Sequence, residues 1–249
     1  EFYCAFHLSL GRKRDYPLKG FLSALILQKI LTIPTDSLLI ILLSLCRELR
    51  DFCGFTKVPD APMFTRFKQT FIPQLELMFS KMVDYTEPIC QAIDSTLASM
   101  ITLDTSGIEL YVKENNPKYL NTLIRTLKTY YKDNPNVDPY KMAYGLMPSQ
   151  AVASSNAKQM YINGHFCYAD KFTIITNGLG LVRHIAFLDD GFKQKHPEIE
   201  IDKKSDSPDE DKSIGDSSAL KPVLQDFFEL HPDFHPSVFL GDSAFDSID

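Results

Sequence analysis

The chain has 249 residues, 44% of them hydrophobic and 23% charged, a length and composition that suit one large or two small globular domains and exclude a disordered chain, a collagen-like repeat or a disulfide-dense mini-protein. Its 26 Lys and Arg against 32 Asp and Glu give a net charge of −6, yet the imbalance is local. Residues 1–188 hold 20 basic and 16 acidic side chains, residues 189–249 hold 6 and 16, so the acidic total does not argue against a polyanionic partner for the first three quarters.

The five cysteines, Cys4, Cys46, Cys53, Cys90 and Cys167, contain no C-x-x-C pair. With no His cluster at zinc spacing, they point to a reducing compartment and no structural metal. The chain opens Glu1-Phe2-Tyr3, without a methionine or a signal-peptide pattern, and is expected to start inside a longer reading frame. The apolar stretch 21–46 is interrupted by Gln28-Lys29 and Pro34-Thr35-Asp36, too short on either side for a span of about 20 residues. A soluble, cytoplasmic protein is expected.

Residues 18–100 are helical by period. Leu18, Phe21, Leu22, Leu25 and Ile26 share one face, and Pro34-Thr35-Asp36 ends that helix and caps a very apolar one over 37–49, with Gly54 as its stop. Asp60 before Ala61-Pro62 is an N-cap with proline in the first turn. Met63, Phe64, Phe67 and Phe71 form the next buried stripe, and Thr65, Arg66, Lys68 and Gln69 face outward. Pro73 and Pro88 are expected to divide the remaining helical stretch into two helices, the second turning Ile89, Ala92, Ile93 and Leu97 inward.

Near residue 100 the period changes. Met100-Ile101-Thr102-Leu103-Asp104 predicts a strand that stops at Thr105-Ser106-Gly107. Asn116 and Pro117 open a helix whose inner face is Leu120, Leu123, Ile124, Leu127 and Tyr131. Two β-forming runs, 164–176 and 179–188, are joined by Asn177-Gly178, a strong hairpin signal. Residues 189–218 are rich in Lys, Asp, Glu and Ser and predict a solvated polar loop. A helix over 219–230 and a strand Val238-Phe239-Leu240-Gly241-Asp242 complete the order.

Asp104 and Asp242 thus each end an apolar strand. Two neighbouring carboxylates repel and are stable together in ionised form mainly around a divalent cation such as Mg²⁺. A lone Asp at a strand end is otherwise a turn former. Basic residues gather in the helical part: Arg12-Lys13-Arg14 before the first long helix, then Arg47, Arg50, Lys57, Arg66 and Lys68, a candidate phosphate-contacting surface on helix-turn-helix-like packing. In the hairpin, His165, Tyr168, Lys171 and Arg183 either approach a phosphate near the metals or form an ordinary exposed sheet face. The exposed-face reading is preferred for His165, and Lys171 is the strongest candidate for the phosphate.

These residues resemble a family. Gly11-Arg12 through Leu18-Lys19-Gly20-Phe21-Leu22, Cys53-Gly54-Phe55, Val58-Pro59-Asp60 and Phe64-Thr65-Arg66-Phe67 look like the helical N-terminal domain of bacterial insertion-sequence transposases of the InsH type. Leu103-Asp104-Thr105-Ser106-Gly107 and Gly241-Asp242-Ser243-Ala244-Phe245-Asp246-Ser247 resemble the first and second acidic motifs of their DDE catalytic domain. The likeness implies an α+β chain: a helical DNA-binding domain over 1–98, then an RNase H-like mixed α/β catalytic domain over 99–249 with a helical insertion at 105–163 and a polar loop at 189–218. It also implies that Asp104 and Asp242 are catalytic and hold two Mg²⁺ or Mn²⁺ ions for cleavage and strand transfer on double-stranded DNA, by a homo-oligomer associated with the bacterial nucleoid.

The family's third acidic ligand, a glutamate on a later helix, has no counterpart after Asp242, where Asp246 is expected to be a solvated or capping residue. A truncated or inactive domain is therefore expected. Two other functions compete. A helical DNA-binding module on a dead nuclease-like domain would serve as a non-enzymatic regulator or remnant. An aspartic protease would use Asp104-Thr105-Ser106-Gly107 and Asp242-Ser243-Ala244, but needs two pseudo-symmetric β-rich lobes.

Overall fold

The computed structural model describes residues 1–7, 14–134, 136–162, 164–201, 213–242 and 245. Their chain divides into two compact units, Glu1–Met82 and Val83–Asp249. The described residues form eleven α-helices and one mixed six-stranded sheet, helical first and sheet-bearing after. No helix among them is long and apolar enough to cross a membrane.

The first unit holds α1 (Phe2–Phe6), α2 (Leu18–Ile30), α3 (Asp36–Leu45), α4 (Arg47–Cys53), α5 (Ala61–Thr70) and the start of α6 (Ile72–Ile93). Side-chain caps begin two of these helices. Thr35 accepts from the Leu38 N–H at 3.2 Å, and Asp60 from the Met63 N–H at 3.0 Å. The core is largely phenylalanine, with Phe21 stacked on Phe67 at 4.8 Å and Phe64 edge-on to Phe21 at 5.2 Å. Met63, Phe64, Phe67 and Phe71 lie inward and Thr65, Arg66, Lys68 and Gln69 outward, as the helical period predicts. Gly20 has a steric reason: a Cβ there would sit 2.4 Å from the Phe55 ring.

Several expectations for the helical region are corrected. The helix predicted over 37–49 breaks at extended Cys46, so that Leu39 and Leu43 of α3 and Cys53 of α4 all reach one core. Ile26 is exposed, its place in the inner stripe of α2 taken by Ala24.

α6 runs unbroken through Pro88 rather than ending there. A proline removes one N–H but does not prevent continuation when packing holds both sides. Val83 and Cys90 supply the inward face, leaving Ile89, Ala92 and Ile93 exposed.

In the second unit a short α7 (Ser95–Ala98) leads into β1 (Met100–Glu109). β1 continues past the predicted stop because Gly107 lets the sheet close up: a Cβ there would lie 2.4 Å from Ile162 Cδ1. Next come a 3-10 turn (Lys113–Asn115), α8 (Pro117–Tyr130), α9 (Pro139–Gly145), β2 (Gln150–Ala151) and β3 (Ser154–Ile162), so the predicted helical insertion also contains two strands. β4 (His165–Asn177) and β5 (Val182–Phe187) form the predicted hairpin. Its turn differs in detail. Gly178 donates to the Leu97 carbonyl and would clash with that oxygen at 2.7 Å if it bore a Cβ, while Gly180 supplies the left-handed residue at φ 77°.

The predicted polar loop contains α10 (Asp190–Lys195), anchored by buried Phe192, Ile199 and Ile214; its residues 202–212 lie outside the described set. α11 (Asp216–Leu230) and β6 (Val238–Leu240) complete the unit. The strand order is β2-β3-β4-β1-β6, with β5 also on β4. β1, β4 and β5 are antiparallel neighbours, and β6 runs parallel to β1. One face of this sheet, carrying Ile101, Leu103 and Ile175, packs on Ala219, Val223 and Phe227 of α11.

Candidate functional site

β1 and β6 are paired in register, Met100 with Val238, Ile101 with Phe239 and Thr102 with Leu240. Each pair has the same offset of 138 (238 − 100), and so do Asp104 and Asp242, two residues beyond the last pair. Side chains alternate along a strand, so buried Ile101 and Leu103 mark the core face, and Thr102 and Asp104 belong to the other. Asp104 and Asp242 are exposed. The Thr105 N–H donates to Asp104 Oδ1 at 2.9 Å, holding one carboxylate oxygen, and the Phe245 N–H donates to the Asp242 carbonyl at 3.2 Å. Ser243, Ala244 and Asp246 lie outside the described residues.

The hairpin residues are placed otherwise than as phosphate contacts. Lys171 pairs with Gly107 and therefore lies on the core face, opposite Asp104. Its ammonium sits 2.6 Å from Asp216 Oδ1 and also donates to the Ile214 carbonyl, closing the core under the start of α11. Arg183 is 1% exposed. It donates to Thr86 Oγ1 at 2.9 Å, Cys90 Sγ at 2.6 Å and the Val83 carbonyl at 3.3 Å, and pairs with Glu87 at 3.3 Å. Tyr168 is buried, donates to the Pro148 carbonyl at 2.6 Å, and has its phenol pushed well up by burial. His165 is exposed, 3.3 Å from Glu109. An alternating pattern tells which residues share a face, but not which face the core will cover.

Asp170, which sequence reasoning passed over, pairs with Ile108 on the Asp104 side of the sheet. Burial and then the charge of Asp189 push its carboxyl up. Its only sequence signal is a carboxylate inside a β-forming run.

The basic residues of the helical unit separate into engaged and open groups. Arg14 donates to the Phe6 carbonyl at 2.7 Å, with its guanidinium 4.6 Å above the Phe6 ring and 5.1 Å from that of Phe71. Arg47 pairs with Asp51 at 3.3 Å and Lys68 with Asp36 at 2.7 Å. Arg50 reaches the Ser44 carbonyl at 3.5 Å. Arg66 is exposed on the outward face of α5 and has no ion-pair partner among the described residues. Arg12 and Lys13 lie outside the described residues.

Residues 1–70, which contain that basic set and most of the phenylalanine core around it, match the family model of a transposase domain (DUF772). The match supports a transposase-type N-terminal domain and a transposase-related role. No curated protein and no solved structure matches the chain. Beyond the transposase-type domain, the strands among the described residues belong to one sheet, whereas an aspartic protease places its aspartates between two β-rich lobes.

Proposed function

We propose that this chain acts on DNA as an insertion-sequence transposase, its helical domain contacting the duplex and its sheet domain, RNase H-like, carrying the catalytic carboxylates Asp104 and Asp242. One observation supports the reading: β1 and β6 pair in parallel with an offset of 138, the offset that also separates Asp104, within β1, from Asp242, two residues past the end of β6. The succession β5, β4, β1, β6, with α11 leading into the parallel strand, supports the RNase H-like assignment.

The donor set fits the hard divalent cations the resemblance implies, since both groups are exposed carboxylates, which offer oxygen ligands. Bound there, Mg²⁺ or Mn²⁺ would activate water or a 3′-hydroxyl and stabilise the leaving oxygen of a phosphodiester. The protein's own part is positioning. β1 holds Asp104 within the sheet, the Thr105 N–H restrains its carboxylate, and Asp242 follows β6 by two residues. The hairpin cations do not neutralise this pair, because Lys171 is bound to Asp216 and Arg183 to Glu87.

On the DNA side, Arg66 is the strongest phosphate ligand, because Arg14, Arg47 and Lys68 are already engaged. Fluorescence anisotropy with a labelled duplex across a salt series tests this. Binding should weaken as salt rises, and Arg66→Ala should lower the slope by about 1, the change expected when a single phosphate is no longer neutralised. Binding indifferent to salt, or unaffected by Arg66→Ala, would contradict the DNA surface. The active form is expected to be a homo-oligomer on DNA.

A further inference from the structure

β1 and β4 bring together three ligand-type side chains that the aspartate pair does not use. Glu109, at the end of β1, is paired with Ala169 of β4, and His165 and Cys167 occupy alternate positions earlier on β4. All three therefore project from one face of the sheet, the face opposite Asp104. One ligand atom from each lies within 4.8 Å of the other two. Metal–ligand bonds of about 2.0–2.3 Å in a tetrahedron place ligand atoms roughly 3.3–3.8 Å apart. His165 Nε2 and Glu109 Oε2 are already 3.3 Å apart. Both of those side chains are exposed and free to close on Cys167 by rotamer adjustment, whereas Cys167 is buried and fixed.

We propose that Glu109, His165 and Cys167 form a zinc site with three protein ligands and water in the fourth position. Thiolate and imidazole disfavour Mg²⁺ and Ca²⁺, which take oxygen ligands, and suit a borderline-soft cation in a tetrahedral site. The charges balance as well, since one thiolate and one carboxylate neutralise a divalent ion. The site would clip β1 to β4 at the end of the sheet farther from β6. Cysteine spacing could not show it, because the ligands come from two strands.

Cobalt substitution tests the site. Titrating the metal-free chain with Co²⁺ should produce a thiolate-to-cobalt charge-transfer band, which Zn²⁺ then displaces. Cys167→Ser should abolish the band. His165→Gln, at an exposed position where folding is unaffected, should weaken Zn²⁺ binding on the order of 100-fold. Asp104→Ala should leave the charge-transfer band in place, because that band reports thiolate coordination alone. The proposal is overturned if the band survives in Cys167→Ser, placing the metal on another cysteine, or if His165→Gln binds Zn²⁺ as tightly as the unaltered chain. No charge-transfer band in the unaltered chain would overturn it equally.

Discussion

In the helical unit, Gln28 is the one polar side chain buried among the described residues, and the rest of the core is aliphatic, aromatic or cysteine. The sheet unit buries Arg183, His184, His196, Asp226 and His231 together with its apolar core. Burying apolar area is tolerant of solution conditions. A buried charge is stable only while its partner stays in the right ionisation state. The first unit should therefore respond to lost volume and the second to lost partners and to pH.

The largest effect is expected at Arg183. Arg183→Ala leaves Glu87 without its cation beside α6 and should destabilise the sheet unit by about 3–5 kcal/mol in urea unfolding. A loss under about 1 kcal/mol would mean that the pair is solvated and the contrast false.

The helical counterpart is Phe67, which stacks on Phe21. Phe67→Ala should cost about 3–4 kcal/mol through cavity formation, with the same loss at pH 7 and pH 4. A loss that varies with pH would break the distinction between the two cores.

His184 sharpens it. Burial lowers its pKa from 6.5 to about 4, with Asp226 opposing the shift and His231 and Lys195 assisting it. The fold thus holds the neutral imidazole, and the unfolded chain takes up the proton first. Stability from this group is complete above pH 6.5 and drains as pH falls to about 4. The full loss is about 3 kcal/mol. Denaturant unfolding of the unaltered chain against His184→Leu over that range should show the variant losing less. Parallel pH profiles would remove His184 from the comparison.

The smallest expected effect is local to the helical unit. Asp60→Ala removes the cap of α5 and should lower stability by about 1 kcal/mol, a value to be read from the same unfolding curves at neutral pH. A cap carries no packing, so a much larger loss would point to an added structural role for Asp60.

Local signals made much of the fold legible. Asp60 with Pro62 and the Phe64, Phe67, Phe71 spacing marked α5 without any tertiary information, and Asn116-Pro117 did the same for α8. Failures came where packing decided. Pro88 did not end α6, because Val83 and Cys90 are held around Arg183, and Thr105-Ser106-Gly107 did not end β1, because β4 runs long enough to pair with it. A second Asn-Gly, at 163–164, lies between β3 and β4, with Gly164 at φ 88°. The strand before it, Ser154–Ile162, was hidden by its polar composition.

The candidate site follows the same division. Asp104 and Asp242 stood out because each follows an apolar run, a local feature. Lys171 and Arg183 looked exposed, because nothing in their own neighbourhood identifies Asp216 and Glu87 as their partners.

Calorimetric titration with Mn²⁺ tests the central claim most directly. The unaltered chain should bind Mn²⁺, and Asp104→Asn and Asp242→Asn should each weaken binding by about tenfold or more, with Cys167→Ser leaving it unchanged. Binding as tight in either aspartate variant as in the unaltered chain, or no binding in the unaltered chain, would contradict a cation shared by Asp104 and Asp242.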